Sequence, residues 1–277
     1  HNLNKIGQYT YFLLLGQRLF NTIFIKTSYN NPIMQTLFLD APYSGIVELA
    51  NETIEYLKSK KYQNVGLYAS GQFVGKLDKV KKQLSEHNIQ VITSKPDRSH
   101  VKSQLLGCDV FSESLNIKEK FDCYLYIGDG KFHPLALVYG QKETEKNAVK
   151  EIICNDPLQK KMTLMNFNDI STILKKYKAS LIKFLSSDVI GIIVTIKPGQ
   201  EQFKPSLFLE KKYPNKRFYH FIDNNVSFNQ LENFPFIDVW INTSCPRVGF
   251  DDQEKFRKGV INLNDALLAE EIVSKIV

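Results

Sequence analysis

Short apolar runs alternate with longer amphipathic stretches along the chain from residue 35 onward. Such alternation is typical of βαβ units, in which parallel strands are joined by helices that cover the sheet. The alternation therefore predicts an α/β fold with parallel sheets. The runs that predict strands are 35–39, 64–69, 89–93, 121–127, 148–155, 189–195, 216–222 and 236–242, and the stretches that predict helices are 46–60, 74–87 and 167–186.

The same order of elements occurs twice. Val65-Gly-Leu-Tyr-Ala-Ser-Gly-Gln72 and Ile190-Gly-Ile-Ile-Val-Thr-Ile-Lys-Pro-Gly-Gln200 each end a strand in a Gly-Gln turn, and a Lys-rich helix, a second strand and a cysteine-bearing loop follow. This internal repeat predicts two Rossmann-like α/β domains, residues 35–165 and 166–277. Residues 1–34 fit the plan poorly and are expected to be a remnant of a first domain or an irregular N-terminal segment. Within them, Tyr9–Leu15 and Asn21–Lys26 predict strands, or a helix and a strand.

Four cysteines, at 108, 123, 154 and 245, show no short spacing of the CxxC kind. Cys123 and Cys154 lie inside apolar predicted strands, which favours a structural role. Cys108 and Cys245 lie in the cysteine-bearing loops of the two repeats. Because ligand sites in parallel sheets lie at the carboxyl ends of the strands, we expect these two thiols to occupy equivalent loops and to meet in the inter-domain cleft. The alternative is two unrelated buried cysteines.

The residues that flank the two cysteines indicate a site. Gly107 allows the backbone before Cys108 to approach another group closely. Arg247 follows Cys245 by two positions, and its charge is expected to lower the pKa of that thiol and to bind a carboxylate in bidentate fashion. A surface arginine without such a contact is the alternative.

A glycine-rich turn follows the strand 121–127. Gly128 and Gly130 leave room for a nucleotide or a sulfonium ligand, and Asp129 offers a carboxylate to a ribose or an amine. An ordinary tight turn has the same composition. His133 is either a site residue or a loop histidine.

Charge and motifs limit the function. The formal charge is +7, from 36 Lys and Arg against 29 Asp and Glu, which suits an anionic partner, although solvated lysines explain it equally well. No Walker loop, nucleophile elbow or His-Glu-x-x-His motif is present in the sequence. The apolar run Tyr9–Leu15 is shorter than the roughly 20 residues of a membrane helix. Without a signal peptide, the expected compartment is the cytoplasm.

Several motifs, in the same order along the chain, resemble those of the diphthamide-biosynthesis 3-amino-3-carboxypropyltransferases, the 2-(3-amino-3-carboxypropyl)histidine synthases. The resemblance runs from about residue 36 to the C-terminus. The motifs are Gly71-Gln-Phe-Val-Gly-Lys-Leu-Asp78, Leu105-Leu-Gly-Cys108, Tyr126-Ile-Gly-Asp-Gly-Lys-Phe-His133-Pro, Lys197-Pro-Gly-Gln200, Asp238-Val-Trp-Ile-Asn-Thr-Ser-Cys-Pro-Arg247 and Phe250-Asp-Asp252.

The resemblance implies a non-classical radical S-adenosylmethionine enzyme with three similar α/β domains, each of which supplies one cysteine to a [4Fe–4S] cluster in the inter-domain cleft. It implies transfer of a 3-amino-3-carboxypropyl group from S-adenosylmethionine to the imidazole C2 of a histidine in translation elongation factor 2, the first step of diphthamide synthesis. The implied partners are elongation factor 2, a second copy or a related subunit, and an electron donor, without a membrane or direct nucleic-acid binding.

Matched by position, Cys108 and Cys245 are the implied cluster ligands of the second and third domains. The implied S-adenosylmethionine site comprises Gly128, Asp129, Gly130, His133, Arg247, Gln72, Lys197 and Gln200. The first-domain cysteine has no counterpart here. We therefore expect an N-terminally truncated member that is inactive alone, or a non-catalytic partner subunit that relays electrons or binds the substrate. A small-ligand-binding α/β protein with two structural cysteines is the third alternative.

Overall fold

The computed structural model describes residues 21–25, 35–39, 41–145, 148–197, 202–225 and 227–276. Within these ranges the strands form three sheets. The strands are β1 (Asn21–Ile25), β2 (Gln35–Leu39), β3 (Asn64–Ala69), β4 (Gln90–Ile92), β5 (Cys123–Ile127), β6 (Ile152–Asp156), β7 (Lys161–Met165), β8 (Val189–Thr195), β9 (Arg217–Asp223), β10 (Val239–Asn242) and β11 (Val260–Asn262).

Helices connect and cover the strands. The α-helices are α1 (Asn51–Ser59), α2 (Asp78–Glu86), α3 (Leu135–Tyr139), α4 (Ser171–Ser186), α5 (Phe203–Ser206), α6 (Phe208–Lys212), α7 (Phe228–Leu231), α8 (Pro246–Asp251), α9 (Leu263–Leu267) and α10 (Ala269–Lys275). Short 3-10 helices lie at Val74–Lys76, Ser112–Leu115, Phe167–Asp169 and Gln253–Lys255. In the part of the chain that the structure describes, none of the helices has the length and apolar character needed to cross a bilayer.

The two large sheets repeat one topology. The first has the order β4-β3-β5-β6-β7 and the second the order β9-β8-β10-β11. All neighbours are parallel except β6 and β7, which form an antiparallel pair at the edge of the first sheet. The first four strands of one sheet therefore correspond in order to the four strands of the other. The predicted α/β class and the internal repeat are confirmed, whereas the domain boundaries stay a prediction.

Two N-terminal elements differ from expectation. The predicted strand 35–39 is present, but it pairs antiparallel with β1 in a separate two-stranded sheet. The helix predicted from residue 46 begins at Asn51. Residues 46–50 are not helical, and the backbone of Ala50 is extended. The backbone N–H groups of Leu49 and Ala50 donate to side chains of Gln83 and Asn155, both at 2.8 Å. The prediction for Tyr9–Leu15 lies outside the described residues.

The apolar cores of the two large sheets are continuous. One hydrophobic cluster contains Tyr126 of β5, Ile190 of β8 and the inward face of α4. Across the same boundary, the ring of Tyr139 stacks on that of Phe250 with centroids 4.5 Å apart and planes inclined by 15°. This packing holds the carboxyl ends of the two sheets in one arrangement.

A buried ion pair reinforces the same boundary. Lys142 Nζ lies 3.3 Å from Asp265 Oδ1, and both side chains are at most 2% exposed. Tyr177 donates a hydrogen bond of 2.5 Å to the other oxygen of Asp265. Lys142 also contacts Glu143 at 2.9 Å. Both charges are thereby compensated in a site that excludes water.

Candidate functional site

Cys245 and Cys108 lie at the carboxyl ends of the two large sheets, but in different connections. Cys245 follows β10, the strand that corresponds to β5. Cys108 follows residues 103–105, which pair with Ala69 at the end of β3. In this pairing, Leu105 N donates to Ala69 O at 2.9 Å and Ala69 N donates to Ser103 O at 2.8 Å. Cys108 therefore precedes β5. The prediction of equivalent loops was wrong, since sequence spacing does not reveal which strand a cysteine follows. The counterpart of the Cys245 loop is the turn at 128–133.

The two thiols are nevertheless close enough to influence each other. Both are free and half-buried. Burial raises the pKa of the Cys108 thiol, and the charges of Asp109 and Cys245 raise it further. The guanidinium of Arg98 opposes this shift, because it hydrogen-bonds Cys108 and adds a positive charge. The charge state of the Cys108 thiol therefore depends on both Cys245 and Arg98.

Burial also raises the pKa of the Cys245 thiol. Arg247 lowers this pKa through a backbone hydrogen bond and its charge, but the cost of removing a thiolate from water is larger. The predicted lowering by Arg247 is therefore present, but burial outweighs it and the pKa of this thiol is raised overall. By contrast, the structural role predicted for Cys123 and Cys154 agrees with their placement inside β5 and β6, where burial raises both pKa values to about 12.

Arg247 connects the two cysteine loops. Its side chain is buried, at 4% exposure, so the alternative of an uncontacted surface arginine was wrong. The Nε group donates to Asp251 Oδ2 at 2.8 Å, and NH2 contacts the same oxygen at 2.5 Å. NH1 donates to the carbonyl oxygen of Phe132 at 2.5 Å and to that of Gly107 at 3.4 Å. Its expected carboxylate contact is therefore made within the chain, and its binding to S-adenosylmethionine stays a prediction.

Gly107 is a point of close approach, as its sequence context predicts. A Cβ at this position would lie 2.2 Å from a ring atom of Phe132. The same ring packs against the guanidinium of Arg247, whose central carbon lies 4.2 Å from the ring centroid. Gly107 therefore allows Phe132 to lie between the Cys108 loop and Arg247.

The turn after β5 has the conformation that its glycines predict. Gly130 has a φ of +69°, in the region that favours glycine. A Cβ on Gly128 would lie 2.5 Å from the hydroxyl oxygen of Tyr126. Asp129 is exposed and accepts a hydrogen bond of 2.8 Å from Gln72. Two loops predicted to line the site are therefore in contact with each other.

His133 is buried at 9% exposure, and both ring nitrogens lack a hydrogen-bond partner among the described residues. Burial lowers its pKa to about 4, and the charge of Arg247 contributes. The ring is therefore neutral at pH 7, with one nitrogen able to donate and the other able to accept. A buried imidazole of this kind suits a ligand-facing role, although its ligand stays a prediction.

Of the remaining predicted residues, the structure describes Lys197. Lys197 lies two residues beyond β8, the neighbour of the strand that leads to Cys245. Its backbone N–H donates to Thr195 Oγ1 at 3.3 Å. The prediction for Gln200 lies outside the described residues.

An open pocket of about 170 Å³ is lined by Ser244 and Pro246, the two chain neighbours of Cys245. It lies at the carboxyl ends of β10 and β11, where ligands bind in parallel sheets. The residues that line it are Arg98, Phe111, Gln202, Asn242, Thr243, Ser244, Pro246, Asn262, Leu263 and Asn264.

The chain resembles known proteins over most of its length. Residues 27–275 match the family described as "Putative diphthamide synthesis protein". This chain belongs to that family. Two archaeal relatives are named 2-(3-amino-3-carboxypropyl)histidine synthase. The protein of Pyrococcus horikoshii is 29% identical over 221 residues, and that of Methanocaldococcus jannaschii is 24% identical over 241 residues.

The diphthamide-synthesis chain is shorter than these relatives. The two matches cover 78% and 85% of this chain but 60% and 62% of the archaeal proteins. The crystal structure of Dph2 from Pyrococcus horikoshii with a 4Fe-4S cluster superimposes with a TM-score of 0.65 at 25% identity, covering 80% of this chain and 61% of that chain. The chain therefore spans about three-fifths of a relative whose structure contains a cluster.

For a diphthamide-synthesis chain, the assignment of Cys108 and Cys245 as cluster ligands stays a prediction. The described residues contain no group of three or more His, Cys, Asp and Glu side chains placed to hold a metal ion. Iron–sulfur clusters are held mainly by thiolates. The other two cysteines of the sequence lie inside strands. Among the described residues, Cys108 and Cys245 are therefore the two half-buried thiols, and no third metal-ligating side chain is grouped with them.

Sequence reasoning missed three residues of the site. Arg98 lies ten positions before Cys108 and belongs to no recognisable motif. Asp251 was part of a quoted motif without a role, and its spacing of four from Arg247 on a helix was the available signal. Asp109 follows Cys108 directly. Burial raises the pKa of its carboxyl to about 6, and Oδ1 lacks a partner among the described residues.

Proposed function

We propose that this chain is part of a 2-(3-amino-3-carboxypropyl)histidine synthase that acts in the cytoplasm. The reaction transfers the 3-amino-3-carboxypropyl group of S-adenosylmethionine to the imidazole C2 of a histidine in translation elongation factor 2. The observation that carries the proposal is the placement of Cys108 and Cys245 at the carboxyl ends of two packed sheets, where the charge of Arg98 acts on both thiols. Membership of the diphthamide-synthesis family supports it.

Cys108 and Cys245 are proposed as two thiolate ligands of a [4Fe–4S] cluster. When bound, such a cluster supplies the single electron that cleavage of the sulfonium requires. The chain's own residues bind and orient. Arg247 holds the two cysteine loops together through the carbonyl oxygens of Gly107 and Phe132. We propose that the neutral ring of His133 hydrogen-bonds a polar group of the ligand, which the unpartnered ring nitrogens support.

We propose that the third thiolate comes from outside these 277 residues. The proposed partners are elongation factor 2, an electron donor, and a second copy or a related subunit, and neither a membrane nor nucleic acid takes part. A second candidate function is a non-catalytic partner subunit that relays electrons or binds the substrate. The observation that favours it is that the chain brings together two thiols rather than three.

Anaerobic reconstitution with iron and sulfide tests the ligand assignment. We expect the purified chain to bind iron and sulfide, and we expect Cys108→Ala and Cys245→Ala each to lower the iron content severalfold. Cys123→Ala is the matched control, since Cys123 lies inside β5 and its replacement is expected to leave the iron content unchanged. Equal iron in all four proteins would contradict the assignment.

Incubation with S-adenosylmethionine and dithionite separates the two candidate functions. Methylthioadenosine is the part of S-adenosylmethionine that remains once the 3-amino-3-carboxypropyl group has left. Its formation by the reconstituted chain supports the synthase. Iron binding without this product, together with product formation once a related subunit is added, supports the partner subunit.

A further inference from the structure

The pocket beside Cys245 has a polar wall built from the ends of β10 and β11. Asn242 Nδ2 donates to the carbonyl oxygen of Cys245 at 2.9 Å and to Asn262 Oδ1 at 2.8 Å. Asn262 Nδ2 donates to the carbonyl oxygen of Pro246 at 3.0 Å. These amide groups are therefore engaged in holding the cysteine loop, and they shape the pocket rather than bind its occupant.

Among the described residues that line this pocket, Arg98 is the one with a formal charge. Its side chain is exposed, and within the described residues it forms no ion pair with a carboxylate. Asp109 feels the charge of Arg98 but pairs instead with the backbone N–H of Leu106, at 2.8 Å. Apart from its hydrogen bond to Cys108, this guanidinium is therefore not paired with a carboxylate of the described residues.

The other arginine beside the cysteines is largely engaged within the chain, with four contacts from its five N–H donors. Each of the three guanidinium nitrogens of Arg247 contacts Asp251 or a backbone carbonyl oxygen. A ligand carboxylate near Cys245 would have to displace these contacts to reach it. Arg98 hydrogen-bonds Cys108 but forms no ion pair with a carboxylate of the described residues, so the other N–H donors of its guanidinium remain for a ligand.

We propose that Arg98 binds the carboxylate of a ligand whose amino-acid end occupies this pocket. This rests on the proposed function, in which that end is the 3-amino-3-carboxypropyl group of S-adenosylmethionine. The guanidinium suits the task because it offers paired N–H donors to two carboxylate oxygens. Arg98 is then a specificity-determining residue, which distinguishes ligands that carry a carboxylate from those that lack one.

The test measures binding rather than turnover. Equilibrium dialysis under anaerobic conditions compares S-adenosylmethionine with decarboxylated S-adenosylmethionine, in the reconstituted full chain. A hydrogen-bonded charge pair corresponds to about a tenfold to hundredfold change in affinity. We therefore expect Arg98→Gln to weaken binding of S-adenosylmethionine by that factor and to leave binding of the decarboxylated ligand unchanged. Arg98→Lys is expected to lie between the two.

Lys102→Gln is the matched control, because it removes a charge from another exposed side chain of the same segment. We expect it to leave both affinities unchanged. If Arg98→Gln binds S-adenosylmethionine as the unmodified chain does, or weakens both ligands equally, the assignment of Arg98 is overturned while the proposed function stands. If the unmodified reconstituted chain binds no S-adenosylmethionine, the proposed function fails and the assignment fails with it.

Discussion

The guanidinium of Arg247 packs against the ring of Phe132 and donates a hydrogen bond to the carbonyl oxygen of the same residue. One side chain from the Cys245 loop thereby contacts both the turn after β5 and, through Gly107 O, the loop of Cys108. The relative position of the two thiols depends on this contact together with the shared core.

Removal of the Arg247 side chain is expected to destabilise the fold. Arg247→Ala removes the donor of two carbonyl oxygens and leaves Asp251 with the Tyr139 hydroxyl as its remaining partner, which costs about 2–3 kcal/mol in the free energy of unfolding. Arg247→Lys should lose part of this free energy, since an ammonium group lacks the planar arrangement of N–H donors that a guanidinium has. Urea denaturation measures the loss. Arg257→Lys, at an exposed ion pair, is the control with little expected effect. An Arg247→Ala protein as stable as the parent would contradict the contacts described.

The buried pair of Lys142 and Asp265 predicts a larger loss. Asp265→Asn leaves the Lys142 ammonium in an environment at 2% exposure with Glu143 as its remaining anion. Loss of one partner of a buried ion pair costs about 3–5 kcal/mol. Thermal and urea denaturation of Asp265→Asn measure this value. Glu254→Gln breaks the exposed pair with Lys176 and should cost at most about 1 kcal/mol. Similar costs for the two variants would show that Lys142 reaches water.

Gly107→Ala is expected to disturb the Cys108 loop. The new methyl group would overlap the ring of Phe132, which Arg247 holds from its other side. Overpacking of this kind costs about 1–3 kcal/mol, and we expect the reconstituted iron content to fall as the loop shifts. Gly75→Ala is the matched control, because a Cβ there meets nothing within 4 Å. Unchanged stability and iron content in Gly107→Ala would indicate that the loop and the ring move apart freely.

His133 predicts a stability change in acid. Its folded-state pKa is about 4, below the ordinary value of 6.5, so the unfolded chain binds the proton more tightly between these limits. The contribution of the neutral His133 ring to the free energy of unfolding is complete above pH 6.5. It is lost as the pH falls towards 4, by about 3 kcal/mol in total. Urea denaturation across this range should show a steeper decline for the parent than for His133→Gln. His87→Gln, at an exposed histidine, should follow the parent. Parallel curves for the parent and His133→Gln would contradict the burial of a neutral ring.

The pattern of apolar residues in the sequence was sufficient to predict the central strands of the two large sheets. The strand predicted at 189–195 matches β8, whose residues are almost all buried, because a fully buried strand is a continuous apolar run. β7 and β11 were missed. β7 is a half-exposed antiparallel edge strand without a continuous run, and β11 has three residues. Such strands exist because a neighbouring strand offers them hydrogen bonds, which sequence patterns do not record.

The sequence by itself determined the α/β class, the repeat, the two cysteines worth attention and the glycine turn before His133. Each follows from a local property of the chain, namely the spacing of apolar residues, the residue type or the conformational freedom of glycine. Only the tertiary structure decided that Cys108 and Cys245 lie in different connections, that Arg247 is occupied within the chain, and that Arg98 faces the pocket. These relationships join residues far apart in sequence, and they depend on how two sheets pack.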